Sequence, residues 1–248
     1  MSELSWLSRT TLLIGDEKLN VLQQSHVLVV GLGGVGSFAA EFLARAGVGT
    51  LTIVDGDVVD PTNRNRQLPA LSTTHGQYKV DLMEKRLLDI NPAIKLYPIK
   101  AFLSPEKASE LVEQNFDYII DAIDSITPKL NLLIAAYRKK TRLISSGGAG
   151  GKMDPTQIII TDISKTYLCP FSREVRKRLK RFKIYKGIKT VFSPELPPKS
   201  SLILTDGSNF KKSAYGTISY MPAAFGGACA SAVINGLIGK EQWLGNGD

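Results

Sequence analysis

One stretch, VLVVGLGGVGSFAAEFLARAG, constrains this chain more than any other. An apolar run, His26–Val30, passes directly into Gly31-x-Gly33-x-x-Gly36 and then into a helical pattern over Gly34–Ala46 that Gly47 ends. A short run of this kind is a buried parallel strand. Glycines after it let the backbone turn sharply and approach a phosphate, and the helix N-terminus offers free N–H groups at a positive dipole end. With these flanks the motif points to nucleotide binding but does not say which nucleotide.

The alternation continues. Strands are expected at Thr50–Asp55, Ile94–Lys100, Tyr118–Ala122 and Arg142–Ser146. Helices are expected at Gln77–Ile90, from Pro105 with Ser104 as N-cap, and over Pro128–Lys139. Strands separated by helices give an α/β class with a doubly wound, mostly parallel sheet. After Gly151 the pattern changes: Gln157–Ile163 alternates as a strand, a basic stretch follows, and Ile218–Gly239 is an apolar closing segment. The expectation is one domain over 1–248, with a Rossmann-like nucleotide-binding half at 1–151 and a mixed C-terminal half at 152–248.

Asp55 falls twenty-four residues after Gly31, where an acid accepts from ribose hydroxyls. To this point an NAD-dependent oxidoreductase fits equally well. The following loop carries Asn63, Arg64 and Arg66, and Lys79 comes thirteen residues after Arg66. Hydride transfer has no use for such a cationic cluster. Attack on a triphosphate does, because fixed cations stabilise the charge that builds on the attacked phosphate. Solvated surface charge is the plain alternative. Asp121 and Asp124 lie at and beyond a strand end, where ligands bind in such sheets. Asp124 is a candidate magnesium ligand, and Asp121 serves equally as a turn cap. The glycines of Gly147–Gly151 suit either a pocket wall or a hinge.

Gly31–Gly36, Asp55, Arg66-Gln67, Lys79 and Asp124 together resemble the adenylating domain of the ubiquitin-activating superfamily, the ThiF/MoeB/HesA group. Within it, AIDSITPK and GGAGGKMDPTQIIITDISKT resemble the tRNA threonylcarbamoyladenosine dehydratases. Asp124-Ser125 with Lys129 departs from the Asp-Asn and Arg usual in activators of sulfur-carrier proteins. The resemblance implies that Gly31, Gly33, Gly34 and Gly36 cradle ATP, that Asp55 binds the ribose and that Lys79 contacts the phosphates. It implies that Asp124 serves Mg2+, that Arg66 reaches the phosphates of a partner subunit, and that Arg9 is a further arginine near them. Asn63 and Ser125 complete this nucleotide-contacting set. A subunit-crossing arginine implies a homodimer. Arg66, Lys79 and Asp124 are the catalytic candidates.

The chain has two cysteines, Cys169 and Cys229, and no C-x-x-C. This matches a branch without structural zinc, and both are read as structural. A dehydratase of this kind needs no protein nucleophile, because the substrate's carbamoyl nitrogen attacks its own adenylated carboxyl group. No clustered partner gives His26 or His75 any chemistry.

Net charge is +8, and its location matters more than its size. Lys165–Lys189 holds ten Lys/Arg against Glu174 alone, a local +9. Phe171, Val175, Leu179 and Phe182 share one helical face there, while Arg173, Arg176, Lys177, Lys180 and Arg181 fall elsewhere. Those five are RNA-binding candidates, since phosphate contacts give affinity without sequence readout. A solvated amphipathic helix and an anionic membrane surface are the alternatives. Ser219–Gly239 is apolar, but its glycines and Pro222 fit a buried helix better than a membrane span. No charged-then-apolar leader opens the sequence, so a reducing, cytoplasmic protein is expected. The expected reaction is ATP- and Mg2+-dependent adenylation and cyclisation of threonylcarbamoyladenosine in tRNA. Its alternatives are activation of a sulfur-carrier or ubiquitin-like C-terminus, an NAD-dependent oxidoreductase, and an RNA-binding scaffold with a dead nucleotide site. A sulfur-handling protein is a further candidate partner.

Overall fold

The structure, a computed structural model, describes residues 5–204 and 213–239. The remaining parts of the 1–248 assignment lie outside the described residues. Two short helices, α1 (Ser8–Ile14) and α2 (Asp16–Gln24), precede β1 (His26–Val30), α3 (Gly36–Arg45) and β2 (Thr50–Val54). Then come α4 (Lys79–Ile90), β3 (Lys95–Ile99), α5 (Pro105–Glu113), β4 (Tyr118–Asp121), α6 (Ile126–Lys139) and β5 (Leu143–Ser146). The second half contributes β6 (Ile159–Asp162), α7 (Pro170–Leu179), β7 (Lys189–Phe192), the hairpin β8 (Leu202–Leu204) and β9 (Ser213–Tyr215), and α8 (Tyr220–Leu237).

Seven strands form one sheet in the order β3-β2-β1-β4-β5-β7-β6. All neighbours run parallel except β6, which is antiparallel to β7. Chain order reverses on either side of β1, so a crevice opens beyond the carboxyl ends of β1 and β4. β1 and β2 are almost wholly buried, as apolar runs covered on both faces must be. β3 is an edge strand, which is why Pro98 is tolerated within it despite lacking a donor. The two sequence halves thus share a single sheet.

The expected elements appear with ends shifted by one or two residues. One two-residue shift is at the glycine motif. The helix there was expected from Gly34 and starts at Gly36, because Gly33 to Val35 form the turn itself. Ser104 caps α5 as expected, its side chain accepting from the Lys107 N–H. Ser104→Ala should lower stability by about 1 kcal/mol in urea unfolding, the usual cost of losing such a cap.

α8 is the buried closing helix. Its buried face includes Met221, Phe225, Cys229 and Val233. Gly226 lets it approach α3 closely: a Cβ there would lie 2.6 Å from the Val35 carbonyl oxygen. Among the described residues no helix is long and apolar enough to cross a membrane.

Candidate nucleotide site

The glycine turn sits at the switch point. Gly31 adopts φ +88°, and a Cβ on it would lie 2.8 Å from the Ala122 carbonyl oxygen. At Gly36 a Cβ would lie 1.7 Å from the Gly31 carbonyl oxygen, so no side chain fits. Gly34 is pressed by Pro222 of α8 and by the Arg66 backbone. Gly33 has only the Gln67 amide near it, at 3.6 Å. Three of the four glycines are therefore demanded by the close packing of the turn, and Gly33 is the roomier position beside Gln67.

Asp55 follows β2 and is buried. One of its oxygens accepts from the Leu32 N–H at 2.6 Å and the other from the Asp57 N–H at 2.7 Å. Burial raises its pKa above the ordinary carboxylate value, against the pull of Lys79 and these two amides. The carboxylate is thus fixed against the glycine turn with lone pairs left for hydroxyl donors.

Lys79 is the first residue of α4 and is buried, its ammonium 3.3 Å from the Asp57 carboxylate. A cation at a helix N-terminus opposes the helix dipole. Such a placement costs stability and favours a bound anion.

The Arg66 loop is stiff. Asn63 accepts from the Asp60 N–H in a capping box, and its carbonyl accepts from the backbone N–H groups of Arg66 and Gln67. Asn65 donates to the Thr217 carbonyl at 2.9 Å. The Arg66 guanidinium donates to the Thr62 carbonyl and to Asn65 Oδ1. Burial lowers its pKa from the usual arginine value, while Asp124 and Asp60 oppose that shift. Arg66 therefore lies within electrostatic reach of Asp124 of its own chain. The loop backbone also lies against the glycine turn of the same chain: a Cβ on Gly34 would lie 3.1 Å from the Arg66 carbonyl oxygen.

Asp124 is exposed at the mouth of the crevice, and Ser125 is the buried residue preceding α6. Arg9 stands apart, exposed on α1, a helix with no buried residue. Gln67 holds an orphaned buried oxygen: its Oε1 has no hydrogen-bond partner.

The buried ionic anchorage behind the site escaped sequence reading. Asp121 is wholly buried, accepting from Lys129 Nζ at 2.6 Å, Ser145 Oγ at 2.7 Å and the Ile123 N–H. It caps the turn before Asp124, and it also anchors a buried cation. The signal was present: Lys129 shares a helical face with Leu132, Leu133 and Ala136. Lys152 is buried and donates to the carbonyls of Ser193 and Glu195. Burial lowers its pKa. No sequence pattern announced it. The Gly147–Gly151 loop is no loose hinge, because Phe171, Pro197 and Tyr215 all press on it.

Of the five RNA-binding candidates, Arg173, Lys177, Lys180 and Arg181 are exposed. Arg176 is half-buried and donates to Thr166 Oγ1, so it ties α7 to the preceding loop and does not face outward freely. Phe182 was expected on the anchored face and is exposed, because α7 ends at Leu179 and the tighter turn over Lys180–Phe182 rotates it out. Cys169 and Cys229 are buried. Burial pushes the Cys229 thiol up to about 12, which leaves it a poor nucleophile. Burial likewise lowers the His26 pKa, and its ring meets Thr52 Oγ1, so it does structural work.

A glycine turn at the switch point, a buried acid fixed against it, two cations and an exposed carboxylate fit a nucleotide-dependent α/β enzyme with phosphate chemistry. The model of the ThiF family matches residues 7–246. The tRNA threonylcarbamoyladenosine dehydratase of Bacillus subtilis is 48% identical over 190 residues, 77% of this chain and 75% of that protein. The Haemophilus influenzae protein of that name is 38% identical over 91% of this chain and 90% of its own. A crystal structure of the Escherichia coli tRNA N6-threonylcarbamoyladenosine dehydratase in complex with ATP superposes with a TM-score of 0.86 at 35% identity, covering 98% of this chain and all of that one. The chain belongs to the ThiF family, in its tRNA threonylcarbamoyladenosine dehydratase branch. The oxidoreductase alternative falls with this assignment.

Proposed function

We propose that this protein uses ATP to dehydrate N6-threonylcarbamoyladenosine in tRNA. The observation that carries the reading is the likeness to the dehydratases over most of both chains. The substrate carboxylate attacks the α-phosphate of ATP, giving an acyl-adenylate and pyrophosphate. The substrate's own carbamoyl nitrogen then attacks the activated carbon, AMP leaves, and the nucleoside has lost one water. Both reacting groups sit in one molecule, so closure is entropically favoured, with effective molarities on the order of 10⁵–10⁸ M.

Asp55 holds the ribose, the turn at Gly31–Gly36 lies along the phosphates, and Lys79 and Arg66 stabilise the charge that builds there. Asp124 is the carboxylate that would hold Mg2+ with phosphate oxygens, and one exposed acid suits an ion that keeps most of its waters. The ion would neutralise phosphate charge. The orphaned Gln67 oxygen beside Gly33 is a ready acceptor for a donor of the bound nucleotide or of water.

The protein acts as a homodimer in this reading. Leu12 and Leu13 of α1 are 87% and 81% exposed, an unusual waste of apolar surface in a helix with no buried residue. A second copy covering α1 would carry Arg9 with it, and Arg9 is then the arginine placed to cross. Two buried free cysteines agree with a reducing, cytoplasmic setting.

The test is mass spectrometry of nucleosides from threonylcarbamoylated tRNA incubated with the protein, ATP and Mg2+. ATP-dependent loss of one water from the modified adenosine is expected. An unchanged nucleoside, with ATP bound, would move the substrate to a protein C-terminus.

A further inference from the structure

A cavity of about 310 Å³ opens between the end of β6, the last turn of α7 and the loop at 183–187. Its floor is Ile163, Leu179 and Ile184, and its rim includes Ser164, Lys180 and Tyr185. Nothing in the adenylation chemistry uses it. The frame is rigid. Asp162 accepts from the Ser164 N–H with one oxygen and from the Gly187 N–H with the other, so one carboxylate ties both rims. The Ile184 N–H closes back on the Leu179 carbonyl, and the Ile163 N–H on that of Ile188. Lys183 and Gly187 take positive φ at the two ends of the loop.

The chemistry of the rim is equally specific. Tyr185 is 62% exposed and Phe182 is exposed beside it, with Lys180, Arg181, Lys183 and Lys186 interleaved. The nearby acids are already engaged: Asp162 by backbone amides and Glu174 by Arg178 at 2.7 Å. Uncompensated positive charge and a free aromatic face thus surround a concave apolar floor. Its volume lies at the low end of small-ligand pockets, about 300–1,000 Å³, which suits one flat ring and excludes a duplex.

We infer that this cavity takes one unstacked nucleotide of the RNA substrate, its base against Tyr185 and the apolar floor and its flanking phosphates on Lys180 and the neighbouring cations. Single-stranded bases are held in this way, by aromatic stacking joined to backbone charge contacts. The inference rests on the tRNA reading above for the identity of the RNA. An anionic membrane would meet the same charges but has no use for a framed concave floor.

The experiment is tRNA binding by the full chain, at two salt concentrations, for the wild type and for Tyr185→Ala, Tyr185→Phe and Lys180→Ala. Tyr185→Ala should weaken Kd roughly tenfold with an unchanged salt slope, because stacking is lost and charge is not. Tyr185→Phe should restore binding. Lys180→Ala should lower the salt slope by about one. A Tyr185→Ala Kd within twofold of wild type, or failure of Tyr185→Phe to rescue, would overturn the inference. Loss of binding to phosphatidylglycerol vesicles with tRNA binding intact would overturn it in favour of a membrane. The dehydration assay on wild type separates the two claims. Turnover with an indifferent Tyr185→Ala sinks the cavity alone, whereas tRNA binding that needs Tyr185 without turnover sinks the reaction alone.

Discussion

Arg66→Ala should lower the kcat for dehydration about 10²–10³-fold, the usual cost of removing one fixed group that meets developing charge, while Kd for ATP shifts much less. The guanidinium is docked on the Thr62 carbonyl and Asn65 Oδ1, in a loop that the Asp60–Asn63 capping box holds rigid. It needs no reorganisation when charge builds on the attacked phosphate, and its partial burial weakens solvent screening. Arg66→Lys keeps the charge but loses the planar fork, so its kcat should fall between the two. Steady-state AMP release with modified tRNA, beside calorimetric ATP binding, reads the split. A Kd rising as far as kcat falls would make Arg66 a ground-state anchor. Chain mixing tests which site it serves. Arg66→Ala and Lys79→Ala chains should not complement each other, because Arg66 is proposed to serve the site of its own protomer. Arg9→Ala mixed with Lys79→Ala should regain activity if Arg9 crosses the dimer. Complementation by the first pair would return Arg66 to the partner's site.

The fold was legible where local physics decides it. β1, the Ser104 cap and the buried closing helix follow from apolar runs, one side-chain acceptor and small-residue packing, all short-range features. The site was legible in its parts but not in its connections. Asp55 stands against the glycine turn and Lys79 at the head of α4, whereas the subunit that Arg66 serves depends on how its loop folds and pairs. That is a tertiary fact without a sequence period. Phe182 shows the limit of helical periodicity: one tight turn at Lys180–Phe182 sufficed to move it from floor to surface. For the buried cations the compensation was illegible for another reason: helical periodicity marks the burial of Lys129 but not its partner, and nothing marks Lys152. Their partners are Asp121 and Ser145 in one case and the carbonyls of Ser193 and Glu195 in the other, so only folding brings the compensation into view.

Lys129→Ala should destabilise the protein by about 3–5 kcal/mol, because it leaves the Asp121 carboxylate buried without its cation. Lys129 and Asp121 side chains are 1% and 0% exposed and 2.6 Å apart, with Ser145 Oγ donating to the same carboxylate oxygen. Water cannot take over from the lost ammonium without opening the space between β4, β5 and α6. Urea unfolding reads the loss directly, and a change under about 1 kcal/mol would show that the carboxylate finds another partner or a proton. The double variant Lys129→Met with Asp121→Leu should recover much of the stability, since an apolar pair of similar volume avoids the burial of charge altogether. Activity should not recover with it. The Asp121 carboxylate also accepts from the Ile123 N–H, and so shapes the turn that presents Asp124 to the crevice. A double variant as stable as wild type but slow in turnover would separate the two duties of this ion pair. One that is both stable and fully active would leave Asp121 and Lys129 with a structural duty that hydrophobic side chains fill equally well.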